Sequence, residues 1–282
     1  MTASPTTQMR HDPPAATGDG RAASHIRLDG VSMTFDGAGS GAGSGAGGPV
    51  VALEHVDLTV AEGEFVALLG PTGCGKSTLL RLVADLIHPS AGAVTVGGAP
   101  AARARQANRF GFVFQEPALL PWRTALDNVH LPLEVVDYPD QPPRQRCLDL
   151  LESVGLARFA DHYPHQLSGG MKQRVAIVRA LAWNPPILLM DEPFSALDEL
   201  TKAQLQDDLL ALWTRERKTI LFVTHNIAEA VYLADRVVVM SPHPGRIKQI
   251  LPVALPRPRE PAMRETMEFL AMVREARETL GR

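Results

Sequence analysis

The sequence of 282 residues contains only two cysteines, Cys74 and Cys147. That excludes a disulfide framework and fits a reducing compartment. Charge of one sign is also scarce: the net charge is −3 and the pI is near 6.3, so there is no general basic field and no nucleic-acid partner is expected. No apolar run approaches the roughly 18 to 20 residues that would span a bilayer. The N-terminal stretch MTASPTTQMRHDPPAATGDG lacks the apolar centre of a secretory signal or an anchor. Action at a membrane would therefore need a partner. An apolar content of 45% is ordinary for a globular core.

The most informative stretch present is GPTGCGKST, Gly70 to Thr78. It follows the apolar run Phe65 to Leu69 and precedes the helical pattern Leu79, Leu80, Leu82, Val83, which is the order strand, glycine-rich loop, helix. Glycines at 70, 73 and 75 let successive backbone N–H groups turn inward around an anion. The helix N-terminus adds unpaired donors and partial positive charge. Lys76 is placed to reach the β- and γ-phosphates of a nucleotide, and the Ser77 hydroxyl to take a position on Mg²⁺. Cys74 lies inside this loop, so its alkylation is expected to be blocked by bound nucleotide.

Residues 1–24 have no periodicity and are expected to be a disordered tail. Strands are predicted from Ile26 to Phe35 and from Val50 to Val60, separated by the glycine-rich linker 37–48, with a third short strand at Val94 and Val96. Phe110 to Phe114 is again strand-like and ends on Gln115. From 116 to 184 the periodicity is helical, with Pro139, Pro142 and Pro143 marking a loop, so a helical insertion is expected there. Ile187 to Met190, Thr219 to Val223 and Val237 to Met240 resume as apolar strands between helical patterns, the pattern of a parallel sheet in an α/β domain. From Leu251 to residue 282 a proline-rich stretch leads to an amphipathic helix carrying Met267, Leu270, Met272 and Val273, expected to pack on the domain surface.

Two further stretches carry chemistry. Asp191 and Glu192 leave the carboxyl end of the apolar strand 187–190, where open α/β sheets bind ligands. Adjacent carboxylates repel unless a cation is present, so Asp191 is expected to hold Mg²⁺ directly or through water, and Glu192 to orient or deprotonate an attacking water. In LSGGMKQR, Ser168 suits a helix N-cap before a helix from Met171 to Asn184, with Gly169 and Gly170 making a second anion-binding start. A single domain has no obvious use for two such ends, so the second is expected to serve a nucleotide held by another copy of the chain.

Taken together these stretches resemble the ATP-binding subunits of ABC transporters over residues 26–250. Gly70, Pro71, Thr72, Gly73, Cys74, Gly75, Lys76, Ser77 and Thr78 match the Walker A loop, and Gln115 the Q-loop. Leu167, Ser168, Gly169, Gly170, Met171, Lys172 and Gln173 match the signature motif. Ile187 to Glu192 match Walker B, Ser195, Ala196, Leu197 and Asp198 the D-loop, and His225 in VTHN the switch histidine. The resemblance implies a P-loop, RecA-like core with a mostly parallel sheet, an antiparallel β subdomain and an inserted α-helical subdomain. It implies a homodimer that sandwiches ATP and Mg²⁺ between Lys76, Ser77, Asp191, Glu192 and His225 of one chain and Ser168, Gly169 and Gly170 of the other, with Asp198 near the partner's P-loop. Gln115 would touch Mg²⁺ or the attacking water. Phe35 falls where the family stacks an aromatic ring on adenine, usually a tyrosine; the alternative is a core aromatic.

In the stretch FVFQEPALLPWRTALDNV the resemblance implies that Leu119, Leu120, Pro121 and Trp122 are exposed as a docking surface for transmembrane permease subunits; the alternative is that Trp122 belongs to the core of the helical insertion. With the P-loop and VVVMSPHPGRI it is similar to importer ATPases of the nitrate, sulfonate and taurine group, which work with a permease and a soluble solute-binding protein. That implies a peripheral protein on the cytoplasmic face of the membrane; the solute itself is not readable, because the ATPase never touches it. Asp85 stands where glycine is usual and is expected to be a tolerated surface change. A repair ATPase of this family would carry a long heptad coiled coil and a translation factor two cassettes, and neither pattern is present; a signalling GTPase would lack LSGGMKQR.

Overall fold

The computed structural model describes residues 24–36, 48–136 and 143–281. The expected tail except Ser24, which begins the first strand and pairs with Ala61, all of the glycine-rich linker but Gly48, and two of the three loop prolines, Pro139 and Pro142, lie outside the described residues.

Two sheets organise the chain. The first has four antiparallel strands in the order β2-β1-β4-β5, where β1 is Ser24–Phe35, β2 Val50–Ala61, β4 Ala91–Val96 and β5 Ala99–Pro100. Alternation turns Ile26 and Leu28 of β1 and Val56, Leu58 and Val60 of β2 inward, and a register shift at Gly30, with φ 55°, brings Val31 to the same buried side. The second sheet has the order β10-β9-β3-β8-β7-β6, with β3 at Phe65–Leu69, β6 at Phe110–Val113, β7 at Ile187–Asp191, β8 at Thr219–Thr224, β9 at Arg236–Met240 and β10 at Ile247–Pro252. Its pairings are parallel except that of β10 with β9. Every residue of β3, β7 and β8 is buried, because helices cover one face and the helix after β3 together with the antiparallel sheet covers the other; these strands therefore read as unbroken apolar runs.

Helix α1 (Lys76–Val83) follows β3, and the short α2 (Ala101–Gln106) follows β5. Helices α3 (Ala125–Val135), α4 (Pro143–Ser153) and α5 (Gly169–Leu181) form the insertion between β6 and β7, around their own apolar cluster of Leu126, Val129, Cys147, Leu151, Val175 and Val178. Helices α6 (Glu199–Glu216) and α7 (Ile227–Leu233) cover the parallel sheet. The strand β10 is not foreseen from sequence: IKQILP is an edge strand, half solvated, and lacks an apolar run. Beyond it the chain stays on the same core. Arg257 pairs with Asp235 at 2.8 Å and lies over the Trp213 ring, and Phe269 and Ala276 of α8 (Met267–Gly281) join the cluster that holds Trp213 and Phe222.

Asp85 differs from its sequence expectation. It sits just past the end of α1 with φ 57°, its N–H donating to the Leu82 carbonyl while the Leu86 N–H reaches the Arg81 carbonyl. This is the left-handed helix ending that glycine fills at least cost. Its carboxylate is nearly buried and pairs with Arg105 on α2 at 2.9 Å, so it pins α2 to α1 instead of facing solvent. Asp85→Ala should therefore lower stability by about 1 to 2 kcal/mol, losing the ion pair while keeping a Cβ at positive φ. Asp85→Gly, which relieves the backbone, should stay within about 1 kcal/mol of the parent. Urea denaturation midpoints of the two variants check this, and equal losses would contradict it.

Candidate functional site

In the parallel register Leu69 pairs with Thr224 and Asp191 with Val223. The segments that leave β3, β7 and β8 thus emerge side by side on one edge of the sheet. The loop 70–75 is held by β2 and by Gly245. A Cβ on Gly75, which has φ 90°, would lie 2.5 Å from Leu53 Cδ2 and 2.9 Å from the Ala52 carbonyl, so the loop rests directly on β2. Gly245, paired with β2 at Leu53, closes on the loop so tightly that a Cβ there would overlap the Cys74 carbonyl oxygen. Gly245 is anchored in turn by donating to the Ala52 carbonyl and accepting from the Glu54 N–H, both at 3.0 Å. Sequence reasoning misses this backing residue; its signal is the glycine in SPHPGRI just after β9.

Lys76 is buried, and its Nζ donates to the Gly70 and Pro71 carbonyls at 2.8 Å each. The ammonium therefore sits in the mouth of the loop, on groups it can exchange for phosphate oxygens. Ser77 Oγ donates to Asp191 Oδ1 at 2.9 Å, joining two stretches 114 residues apart. Burial pushes the Asp191 carboxyl up, the Ser77 hydrogen bond opposes that, and the neighbouring Glu192 charge adds to it. A cation at this point would relieve the strain on the pair. Glu192 has φ 44°, is held by its N–H donating to the Val223 carbonyl, and places Oε2 3.0 Å from His225 Nδ1. The pairing of Glu192 with His225 is invisible in the sequence.

Other predicted residues stand apart from this group. Gln115 is exposed just beyond β6 and forms no hydrogen bond to Ser77, Asp191 or Glu192. Phe35, at the end of β1 opposite Val50, is 41% exposed and thus not a core aromatic. Ser168 caps α5 by accepting from the Met171 N–H, and Ser168 and Gly169 are exposed. No hydrogen bond links 168–170 to the loop 70–78 within the chain. Gly170 instead packs on the D-loop, where a Cβ would lie 3.1 Å from Leu197 Cδ2. Leu167 is buried in the insertion cluster. Gln173 is fully buried, its Nε2 donating to the Phe114 carbonyl at 3.4 Å, so it serves the inside of the fold and not its surface. Ser195 Oγ donates to the Glu192 carbonyl, and Asp198 caps α6 by accepting from the Thr201 N–H, which holds its carboxyl below the usual range.

Beyond Gln115 the loop is fixed by groups that the sequence alone does not single out. Arg179 on α5 donates to the Ala118 and Pro117 carbonyls at 2.8 and 2.7 Å. The fully buried Asn128 donates to the carbonyls of Leu120, Arg123 and Thr124 and accepts from the Leu120 N–H. Trp122 is left 70% exposed, which removes the core alternative for it, whereas Leu119 and Leu120 are half-buried and present less surface than the sequence implies.

Cys74 also departs from expectation. Its thiol is 1% exposed, and burial pushes it up despite the nearby Lys76; Cys147 is likewise buried and pushed up to about 11. Both should alkylate at least about tenfold more slowly in the folded chain than in urea, with or without nucleotide. Iodoacetamide labelling read by mass spectrometry checks this; rapid labelling of folded Cys74 would contradict it.

Among the described residues no helix is long and apolar enough to cross a membrane. Residues 53–195 match the family model described as ABC transporter. The aliphatic sulfonates import ATP-binding protein SsuB 1 of Mesorhizobium japonicum is 48% identical over 246 residues, covering 87% of this chain and 85% of the relative. The bicarbonate transport ATP-binding protein CmpD of Synechocystis is 42% identical over 252 residues, 88% of this chain and 86% of the relative. A solved dimeric structure of an ATP-binding cassette in a post-hydrolysis state, bound to ADP and Pi, superposes with a TM-score of 0.72 at 36% identity, covering 82% of this chain and 99% of that one. The chain belongs to the ABC transporter family, as one of its ATP-binding, ATP-hydrolysing subunits.

Proposed function

We propose that two copies of this chain clamp two ATP molecules and use their hydrolysis to drive import of a small anion through a membrane permease. The observation that carries this reading is the split site. Lys76, Ser77, Asp191, Glu192 and His225 are gathered on one sheet edge, while Ser168 and Gly169 offer a capped helix start to solvent with no hydrogen bond to that edge. A second chain, turned about a two-fold axis, would bring its helix start to this edge and complete the site. The dimeric relative bound to ADP and Pi supports the arrangement.

Within each site Lys76 would leave the Gly70 and Pro71 carbonyls for the β- and γ-phosphates. Ser77 and Asp191 fit Mg²⁺, since they already share a hydrogen bond and are both oxygen donors. No cluster of three metal-ligating side chains occurs among the described residues, so the remaining oxygens would come from phosphates and water; bound there, the ion would neutralise charge developing on the phosphates. Glu192, oriented by His225, would align or deprotonate the attacking water, and His225 would then contact the γ-phosphate. Gln115 would approach once nucleotide is present, Phe35 would stack on adenine, and Asp198 with Ser195 to Leu197 would meet the partner's P-loop. Closure on ATP and release after hydrolysis make a two-state element. The exposed Trp122, on a loop tied to α5 by Arg179, is the proposed contact with the permease, placing the subunit on the cytoplasmic face of the membrane. The sulfonate and bicarbonate relatives favour a small anion, delivered by a soluble solute-binding protein.

Glu192→Gln should retain ATP binding, lower turnover by about 100-fold or more, and trap a dimer with ATP. Size-exclusion chromatography and phosphate release check this, and undiminished hydrolysis would refute the role. Lys76→Ala and Ser168→Arg should each be inactive alone. Mixed in equal amounts they should recover about a quarter of parental activity, from one intact site in half of the dimers; Ser168→Arg chains that hydrolyse ATP normally by themselves would refute the shared site.

A further inference from the structure

The turn that carries His225 is held from behind by a buried carboxylate. Glu229, on α7, is 8% exposed. Its Oε2 accepts from Thr224 Oγ1 at 2.8 Å. The same hydroxyl accepts from the Asn226 N–H at 2.9 Å, and Asn226 Oδ1 accepts from the Glu229 N–H at 3.2 Å. The residues on either side of His225 are thus closed into one ring of hydrogen bonds through Glu229. The other carboxylate oxygen lies 3.5 Å from Lys202 Nζ, which also pairs with Glu199 at 3.0 Å. Lys202 belongs to the first turn of α6, its N–H donating to the carbonyl of Asp198, the last residue of the D-loop. Burial pushes the Glu229 carboxyl up, while Thr224 and Lys202 oppose that. A buried carboxylate next to solvated alternatives is costly unless its partners hold it.

We propose that Glu229 is a positioning residue for ATP hydrolysis. Through Thr224 and Asn226 it fixes the turn that points His225 at Glu192, and through Lys202 it ties that turn to the start of α6 behind the D-loop. A displacement of residues 195–198 at a dimer interface would therefore reach the His225–Glu192 pair through Lys202 and Glu229, with no contact to nucleotide. The inference rests on the roles given above to Glu192 and His225.

Steady-state ATPase kinetics of the full chain test it. In Glu229→Ala, kcat should fall about tenfold or more while the KM for ATP stays within about twofold, because binding through the P-loop is untouched. Glu229→Gln, whose amide oxygen can still accept from Thr224, should recover to within about threefold of the parent. Thr224→Val, nearly isosteric, should reproduce the loss from the opposite partner, and combining it with Glu229→Ala should add little, as for residues acting as one unit. A kcat for Glu229→Ala within about twofold of the parent, or equal impairment of the Gln and Ala variants, would overturn the proposal. If Glu229→Ala does not fold, an unchanged kcat in Thr224→Val overturns it alone. Failure of the underlying reading looks different: the parent chain would lack ATPase activity, or Glu192→Gln would keep it.

Discussion

The structure depends on the parallel alignment of β3, β7 and β8. Parallel strands put all their carboxyl ends on one side of the sheet, so the loop after β3, the carboxylates after β7 and the histidine after β8 must come out together. The Ser77–Asp191 and Glu192–His225 hydrogen bonds are the direct result. Each joins residues far apart in sequence, and neither requires either strand to deviate from regular pairing. The burial of all residues in these strands makes the sheet stiff enough to serve as a common base.

Onto this base the fold adds connections between separate parts of its surface. Helix α5 begins at Ser168, where a second chain would close, and its body holds the chain on both sides of Gln115, Phe114 through Gln173 and Pro117 and Ala118 through Arg179. The same helix start packs through Gly170 on Leu197 of the D-loop. The D-loop in turn leads into α6 and, by way of Lys202, to the turn of His225. The sheet edge bearing Lys76 and Glu192, the start of α5 and the loop bearing Trp122 are therefore joined by a few specific hydrogen bonds and by the packing of Gly170 on Leu197.

The glycine-rich loop, the apolar strands and the helix start capped by Ser168 are legible because each is a local pattern with a local cause. Gly75 needs positive φ within its own turn, Ser168 caps a donor three residues away, and Ile187 to Met190 are apolar because both faces are covered. What the sequence hides depends on distant neighbours. Asp85 reads as a surface residue because Arg105, its partner, lies on α2, beyond the β4–β5 strand pair. Cys74 reads as accessible because its loop is a binding loop, although the thiol faces inward under Gly70. Strand β10 escapes the sequence because only Leu251 of its six residues is buried, a weaker pattern than that of a core strand.

By itself, then, the sequence determined the class of fold, the phosphate loop, the paired carboxylates and the second helix start, all written in spacings of a few residues. Only the tertiary structure decided which of them meet. It brought Ser77 to Asp191 and Glu192 to His225, turned Gln173 inward, left Trp122 in solvent, and kept Ser168 off the P-loop of its own chain. The physical reason is that strand order and register are set by the packing of whole apolar faces, a property of no single segment.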